Sequence, residues 1–325
     1  MNLKSRTIRF LFRKLGLNFL ENVRKEQKKL FRILTKDESN SFYKQAIESK
    51  LPQMLSRLGS PEANCLLNWM QVKSFDNAGI TRHNISIFEG KSQIWVDQVK
   101  DDLFNLVGFF PIEDQALRKF SSIYSEKIQS IDGICIWGFV PGENYLIKKF
   151  CPSAIRINPE VLDPFFFESP WTAKLRGKKV LVIHPFTESI ESQYKKREKL
   201  FKNRDTLPEF GLKTIKAVQS IAGTKTSFST WFEALDYMKS EINKIDFDIA
   251  LIAAGSYGIP LSAHVKELGK CAIHMGGTLQ ILFGIKGQRW DDHPPTAALY
   301  NEHWVRPSVK ETVKNASIVE GACYW

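Results

Sequence analysis

Apolar runs and amphipathic segments alternate along most of the chain, and this alternation predicts the secondary structure. Short apolar runs bounded by turn residues indicate buried strands, whereas apolar residues at helical spacing indicate helices. The predicted strands are 54–58, 133–138, 154–157, 179–185, 212–218, 247–253 and 271–274. The predicted helices are 61–70, 95–106, 114–129, 189–203, 231–243, 259–268 and 278–283. This order predicts an α/β, Rossmann-like fold, with a mainly parallel sheet covered by helices on both faces.

The two ends of the chain differ from this α/β region. Residues 1–50 have helical spacing, with a predicted break at 37–40, and residues beyond 290 are irregular and aromatic. We therefore expect a basic helical N-terminal segment over residues 1–50, an α/β domain over 51–290 and an irregular C-terminal tail over 291–325. The tail is expected to wrap the surface.

The net charge of +11 belongs mostly to the N-terminal segment. Residues 1–36 carry 11 Lys and Arg against two Glu, a net charge of +9, which leaves +2 for all other residues. A nucleic-acid protein needs a basic face on the folded domain, so no nucleic-acid partner is expected. Five apolar residues at helical spacing lie among these cations: Ile8, Leu11, Phe12, Leu15 and Phe19. Such a segment either contacts an anionic membrane surface or packs as a solvated helix on its own domain.

Other sequence features limit the class of protein. No run of about 18 uncharged apolar residues is present, so no transmembrane helix is expected. The five cysteines are scattered singly without a CxxC pair, which argues against a zinc site and for a reducing compartment. We expect a cytoplasmic protein, with the inner face of the plasma membrane as the place of any membrane contact.

Two glycine turns follow the last two predicted strands. Gly255, Ser256, Tyr257 and Gly258 form the first, and His274-Met275-Gly276-Gly277 forms the second. Glycines let a backbone approach a ligand closely, and the N–H groups at the start of a following helix favour phosphate. All these residues except Met275 are candidates for nucleotide binding. The alternative is that the glycines serve tight turn geometry alone.

Charged residues flank a third glycine turn, near the first predicted strand. Arg57 ends that strand, Gly59 and Ser60 form the turn, and Glu62 lies in the first turn of the next helix. Arg57 and Glu62 are the candidate catalytic residues, and Gly59 and Ser60 are candidates for ligand binding. The alternative for Arg57 and Glu62 is a buried ion pair, because a charge in a strand is costly without a partner.

The segment Arg57-Leu58-Gly59-Ser60-Pro61-Glu62 resembles the R-x-G-x-x-E signature of GT-D-type glycosyltransferases, usually written RFGDGE. These are bacterial enzymes of surface-glycan assembly that use sugar nucleotides. The later order of strand, glycine turn, helix, strand and glycine turn over residues 248–277 is similar to that family as well. The resemblance spans residues 45–290 and identifies the chain as a divergent member.

The resemblance implies a glycosyltransferase whose domain over residues 51–290 binds a nucleoside-diphosphate sugar, with a UDP-sugar as the first candidate. The acceptor would be a glycan or a lipid-linked glycan in polysaccharide biosynthesis. The family's Asp-x-Glu pair is associated with a divalent metal, but here Ser60 replaces the Asp, so Mn²⁺ or Mg²⁺ at Glu62 is in doubt. The alternative is a non-catalytic nucleotide- or glycan-binding module of a polysaccharide assembly complex.

Overall fold

The structure is a computed structural model, and it describes residues 18–77 and 95–325, without the side chains of 75–77. Four of the five apolar positions of the predicted basic amphipathic helix, Ile8, Leu11, Phe12 and Leu15, lie outside the described residues. Phe19 lies in a helix over residues 18–27, and its ring packs edge-on against Tyr145 at 5.9 Å.

A seven-stranded sheet organises the molecule. Its strand order is β3-β2-β1-β7-β6-β4-β5, and all six neighbouring pairs are parallel. The strands are β1 Gln53–Arg57, β2 Gly133–Cys135, β3 Ile155–Ile157, β4 Lys179–His184, β5 Gly211–Lys216, β6 Ile249–Ile252 and β7 Cys271–His274. The predicted parallel sheet is confirmed, and every predicted strand is present within a few residues of its predicted bounds.

Alternate residues of the strands point to two separate hydrophobic cores. In β4, Leu181 and Ile183 join one cluster, whereas Val180 and Val182 join the other. Both faces are covered because parallel strands joined by crossover helices leave neither face open to water. Each fully buried aliphatic side chain contributes about 1.5–3 kcal/mol, so the two cores hold the sheet rigidly beneath the loops at its edge.

Most of the longer helices lie where the apolar spacing predicts them, whereas the helix Glu143–Phe150 was not predicted. The longer helices are Lys36–Glu48, Ser60–Asn77, Asp97–Asn105, Asp114–Lys127, Glu143–Phe150, Thr187–Tyr194, Trp231–Asn243 and Gly258–Glu267. Shorter helices are Arg197–Leu200, Thr278–Leu282, Gln288–Asp291 and Pro294–Ala297. The predicted helix 189–203 is therefore two helices, and nothing in the described residues 18–77 and 95–325 is long and apolar enough to cross a membrane.

The predicted helix break at residues 37–40 is wrong. Those residues form the first turns of the helix Lys36–Glu48, which begins with a capping box between Thr35 and Glu38. The Thr35 hydroxyl accepts the Glu38 backbone N–H at 3.2 Å, and the Glu38 carboxylate accepts the Thr35 N–H at 2.8 Å. Polar residues therefore start this helix rather than interrupt it, as is usual at an N-terminus.

The order of the strands fixes where a ligand crevice opens. The chain leaves β4 toward β5 at one edge of the sheet, but it leaves β6 toward β7 in the opposite direction. Loops that diverge from two neighbouring strands leave a gap at their carboxyl ends, and open α/β sheets bind ligands there. In this fold the gap lies between His184, which ends β4, and residues 253–255, which follow β6.

The C-terminal region packs onto the same end of the sheet. Trp304 is buried, and the Trp325 carbonyl accepts the Gln288 N–H at 3.0 Å. Tyr324 places its ring beside Gly277. The division of the chain at residues 50 and 290 stays a prediction.

Candidate functional site

A cavity of about 720 Å³ opens at the carboxyl ends of the strands. It extends from the loop after β2, past the ends of β1, β7, β6 and β4, to the loop after β5. Of the eleven residues predicted to form the site, nine line this cavity: Arg57, Gly59, Ser60, Glu62, Gly255, Tyr257, His274, Gly276 and Gly277. Three turns that are distant in sequence are therefore neighbours in the fold.

Arg57 ends β1 and presents a guanidinium with unused donors to the cavity. Its Nη2 donates to the Leu58 carbonyl at 3.2 Å, but its Nε has no hydrogen-bond partner. The guanidinium carbon lies 5.5 Å from the centre of the Trp137 ring. Arg57 forms no ion pair with any described residue, so the predicted alternative of a buried Arg57–Glu62 pair is absent. A guanidinium left with free donors at a cavity suits an anionic ligand.

Glu62 is a nearly buried carboxylate without a cation in direct contact. Its Oε2 is buried and accepts no hydrogen bond, and burial raises the pKa of the carboxyl above its ordinary value, while Arg57 opposes that shift. Because Glu62 lies in the first turn of a helix, the helix dipole favours its ionised form. Orphaned buried polar atoms are rare in folded proteins, and here the orphan belongs to a residue that lines the cavity.

The glycines of the three turns make room for these polar side chains. A Cβ on Gly59 would lie 2.1 Å from Oε2 of Glu62, and a Cβ on Gly276 would lie 2.8 Å from Nη1 of Arg57. Gly276 also has a φ of +67°, which favours glycine. Gly276, in the turn after β7, therefore leaves space for the guanidinium of Arg57 at the end of β1.

Gly258 and Ser256 lie behind the cavity wall. A Cβ on Gly258 would lie 2.2 Å from Nε2 of His274, so this glycine lets the imidazole pack against the helix Gly258–Glu267. The Ser256 hydroxyl donates to the Val107 carbonyl at 2.8 Å and accepts the Trp231 indole N–H at 2.9 Å. Both positions stabilise the turn, and neither is among the residues that line the cavity.

Gly255 and Tyr257 reach the cavity from the same turn. Gly255 has a φ of +52°, and a Cβ there would lie 3.1 Å from the Val107 carbonyl oxygen. The Tyr257 ring stacks on Trp231 with centroids 5.0 Å apart and an interplanar angle of 8°. The turn is thus held rigidly where it faces the crevice between β6 and β4.

Both histidines at the strand ends are neutral. Burial lowers the pKa of His184 to about 3, and burial together with the Arg57 charge lowers the pKa of His274 to about 3. Nδ1 of His184 accepts the Phe186 N–H at 2.9 Å, so its proton lies on Nε2. The Ser56 hydroxyl lies 3.1 Å from Nδ1 of His274. Neither histidine adds positive charge for a phosphate at neutral pH.

Several cavity residues were not predicted from the sequence. Trp137 and Phe139 follow β2, and Asp163 follows β3. Thr278 donates to Oδ1 of Asp163 at 2.5 Å, and burial raises the pKa of this carboxyl. Gly138, which ends the apolar run before Phe139, could have indicated this part of the site, because a glycine after a buried strand marks a loop at the edge of the sheet where ligands bind.

The C-terminal region supplies another part of the wall. Arg289 lines the cavity, forms an ion pair with Glu320 and lies 5.0 Å from the centre of the Tyr324 ring. Lys286, a second cation of the same loop, is not among the lining residues and lies over Tyr300. Arg289 is thus the second guanidinium of the cavity, but an acidic residue already neutralises it.

The donors around Glu62 fit a protein-held metal poorly. Within residues 18–77 and 95–325, no group of three His, Cys, Asp or Glu side chains is placed to ligate a metal ion. One carboxylate with a guanidinium nearby does not supply the six or so oxygen ligands of Mg²⁺. A metal here would need most of its ligands from a bound diphosphate, so metal dependence stays a prediction.

Comparison with known proteins finds a family match in the second half of the sheet. Residues 168–282, which contain β4 to β7, match the GT-D-like family, described as a GT-D fold-like domain. A solved structure described by the words "The highly conserved domain of unknown function 1792 has a distinct glycosyltransferase fold" aligns at 12% identity. That alignment covers 90% of this chain and 96% of the other with a TM-score of 0.46, too low to support an argument. No match was found among the curated proteins.

The family match includes residues 248–277, the second region of the resemblance, and lies outside the R-x-G-x-x-E segment at residues 57–62. Residues 168–282 are thus similar to the GT-D-like family, as expected for a divergent member.

Proposed function

We propose that this protein is a glycosyltransferase that moves a sugar from a nucleoside-diphosphate sugar, a UDP-sugar in the first instance, to a glycan or lipid-linked acceptor of polysaccharide biosynthesis. One observation supports this function most strongly. Arg57 and Glu62, the charged residues of the R-x-G-x-x-E segment, both line the cavity beside the crevice of the region that matches the GT-D-like family, and each has a buried hydrogen-bonding atom without a partner.

The nucleotide is assigned to the crevice between β4 and β6. That gap is lined by His184, Phe186 and Gly255, which are neutral and largely apolar groups suited to a base and a ribose. The diphosphate would then extend toward β1, where Arg57 has unused donors. This direction places the donor sugar near Glu62.

Arg57 would steady the departing diphosphate. Negative charge grows on the leaving group as the bond to the sugar breaks, and a fixed cation in a partly dehydrated cavity stabilises that charge. Glu62, whose Oε2 is unpaired, would accept hydrogen bonds from hydroxyls of the donor sugar and hold its orientation. The acceptor hydroxyl attacks the anomeric carbon as the bond from that carbon to the diphosphate breaks, and the hydroxyl proton passes to a general base.

Contact with a membrane surface would suit a lipid-linked acceptor. The helix over residues 18–27 lies beside the cavity mouth, since Gln27 donates to the Gly138 carbonyl at 3.4 Å and accepts the Asn144 N–H at 3.2 Å. Leu30, just beyond it, is 99% exposed among Lys28, Lys29 and Arg32. We propose a cytoplasmic enzyme that approaches an anionic membrane through residues 1–36.

A non-catalytic binding module is the second candidate function. Ser60 replaces the acidic residue of the family motif, and the described residues lack a metal-ligating cluster. A module of this kind would bind the nucleotide sugar or a glycan without cleaving it.

Release of the nucleoside diphosphate separates the two functions. The full-length protein is incubated with UDP-, GDP- and dTDP-sugars, with and without Mn²⁺, and the freed diphosphate is measured. A transferase releases it slowly to water, and Arg57→Ala abolishes the release. Arg176→Ala is the matched control, because Arg176 is exposed and pairs with Asp205 at 2.7 Å away from the cavity. Binding without release in the wild type would favour the module.

A further inference from the structure

Phe139 is exposed at the rim of the cavity. It is 71% exposed, one of the largest exposures of an aromatic side chain among the described residues, and it lines the cavity. Its ring lies beside the half-buried ring of Trp137, with centroids 5.7 Å apart and an angle of 46° between the planes. The two rings form an apolar wall next to Arg57. Single exposed apolar residues are common, but an aromatic pair that lines a cavity offers a stacking surface.

The loop that carries this aromatic wall is held in place before any ligand arrives. The buried carboxylate of Glu143 accepts the Trp137 N–H at 3.1 Å and the Gly138 N–H at 2.8 Å. Gly138 adopts a φ of +77° within this loop. A residue exposed on a fixed loop binds a ligand without the entropy cost of ordering the loop.

The aromatic wall lies on the opposite side of Arg57 from the proposed nucleotide crevice. Trp137 and Phe139 follow β2, whereas the crevice lies between β6 and β4, and β1 and β7 separate the two. The nucleotide and diphosphate together extend from the crevice to Arg57. A ligand at the aromatic wall would therefore meet the donor sugar from its far side, which is where an acceptor must lie.

Polar groups complete this side of the cavity. Asp163 follows β3, the strand that pairs with β2, and it also lines the cavity. Oδ1 of Asp163 accepts the Thr278 hydroxyl, and no described residue donates to Oδ2. An aromatic face beside a free carboxylate oxygen matches a pyranose ring, which has an apolar face of C–H groups and an edge of hydroxyl donors.

From this arrangement we infer that Trp137 and Phe139 form the acceptor subsite, where the apolar face of a pyranose ring of a glycan stacks on the rings and a hydroxyl donates to Asp163. This inference rests on the proposed function. It adds the acceptor's chemical class and the residues that bind it.

Phe139 is the residue to vary, because its exposure lets it change without loss of packing. Trp137 contacts both cores and Arg57, so its removal would disturb the donor site as well. Phe139→Ala removes the stacking surface, and Phe139→Trp keeps it. Tyr237→Ala is the matched control, because Tyr237 is 44% exposed and lies outside the cavity.

Saturation-transfer NMR on the full chain measures binding without requiring turnover. The probes are the methyl glycosides of glucose, galactose and N-acetylglucosamine at tens of millimolar, and UDP serves as the donor-side ligand. We expect at least one glycoside to bind the wild type, with affinity reduced about tenfold in Phe139→Ala, retained in Phe139→Trp and unchanged in Tyr237→Ala. UDP affinity should be equal in all four proteins.

Three results would overturn the acceptor subsite. The first is that no glycoside binds the wild type, or that Phe139→Ala binds as well as the wild type. The second is an equal loss of UDP affinity in Phe139→Ala, because the wall would then stack the base. The third is that Phe139→Ala loses binding to phosphatidylglycerol vesicles while glycoside binding is intact. Failure of the proposed function would give a different result, because no donor would then release its diphosphate.

Discussion

The two halves of the sheet contribute different chemistry to one cavity. The half that matches the GT-D-like family, β4 to β7, supplies neutral groups: His184, His274 and the turns at Gly255 and Gly276. The other half, β1 to β3, supplies Arg57, Glu62 and the aromatic wall. The family match thus describes the half that forms the crevice, whereas the charged groups proposed to act on the donor lie outside it.

Ser256 and the charged site residues differ in what they cost the fold. Ser256 in the matched half satisfies its hydrogen bonds and stabilises its turn. Glu62 and Arg57 in the other half each keep a buried atom without a partner, as the Tyr257 hydroxyl does in the matched half. Buried polar groups without partners cost about 1–3 kcal/mol each, and such costs are typical of residues kept for a ligand. Substitutions of Ser256 should therefore affect mainly stability, whereas substitutions of Arg57 and Glu62 should affect mainly function.

Arg57→Ala should have the largest effect on activity. Removing the cation that faces the diphosphate should lower diphosphate release by about 10²–10³-fold, the usual effect of losing one preorganised electrostatic contact. Thermal stability should change little, because Arg57 forms no ion pair with a described residue. Arg57→Lys should recover only part of the activity, since a lysine lacks the planar fork of donors. Full activity of Arg57→Ala would remove this residue from the mechanism.

Glu62→Gln should lower activity yet stabilise the protein at neutral pH. Burial raises the pKa of Glu62 above its ordinary 4.5, so the folded chain binds this proton more tightly than the unfolded chain. The stabilisation that follows from this shift is fully present at a pH below the ordinary pKa of 4.5, and it is lost as the pH rises through the higher pKa of the folded chain. At pH 7 the wild type therefore carries the cost of a buried charge, which the amide avoids.

Melting curves of the wild type and Glu62→Gln between pH 4 and pH 8 measure this effect. The Tm of the variant should exceed that of the wild type at pH 8, by about 2–4 °C for each kcal/mol, and the difference should shrink toward pH 4. A variant that is less stable than the wild type at pH 8 would show that Glu62 makes stabilising contacts in the folded protein.

Gly276→Ala should reduce donor affinity about tenfold by moving the guanidinium of Arg57, because its Cβ would lie 2.8 Å from Nη1. The positive φ alone should cost about 1–2 kcal/mol of stability. Gly269→Ala is the matched control, since Gly269 has a φ of +77° with nothing within 4 Å of an added Cβ. Equal donor affinity in Gly276→Ala and Gly269→Ala would contradict a role for the close approach of Gly276 to Arg57 in donor binding.

Ser256→Ala should have the smallest effect on ligand binding. It removes a hydroxyl bonded to Val107 and Trp231, so the free energy of unfolding should fall by about 1–3 kcal/mol. Donor affinity, measured by calorimetry below the melting range, should equal that of the wild type. A loss of affinity larger than threefold would place Ser256 in the site, as its position in the glycine turn first suggested.

The fold could be predicted from the sequence because its signals are local. Buried strands such as β6 are continuous apolar runs, and the helix Trp231–Asn243 shows its apolar spacing directly. The helix start at Lys36 was missed because its polar residues read as a break, whereas Thr35 and Glu38 cap each other.

The candidate site could be predicted only in part. The glycine turns and the Arg57 to Glu62 segment were found because strand ends of a parallel sheet share one edge. The fit of Gly276 to Arg57 and of Gly258 to His274 depends on distances between distant segments, which no spacing along the chain encodes. The same holds for Asp163 and Tyr324, which reach the cavity from irregular regions.

A thermal-shift panel of UDP-, GDP-, dTDP- and CMP-sugars, with and without Mn²⁺, tests the central claim most directly. The claim is that the charged half and the family-matched half bind one donor together. We predict that one nucleotide class raises the Tm of the wild type and of Arg176→Ala by mass action, and that Arg57→Ala loses this shift. The same shift in Arg57→Ala, or no shift of the wild type with any donor, would contradict the account.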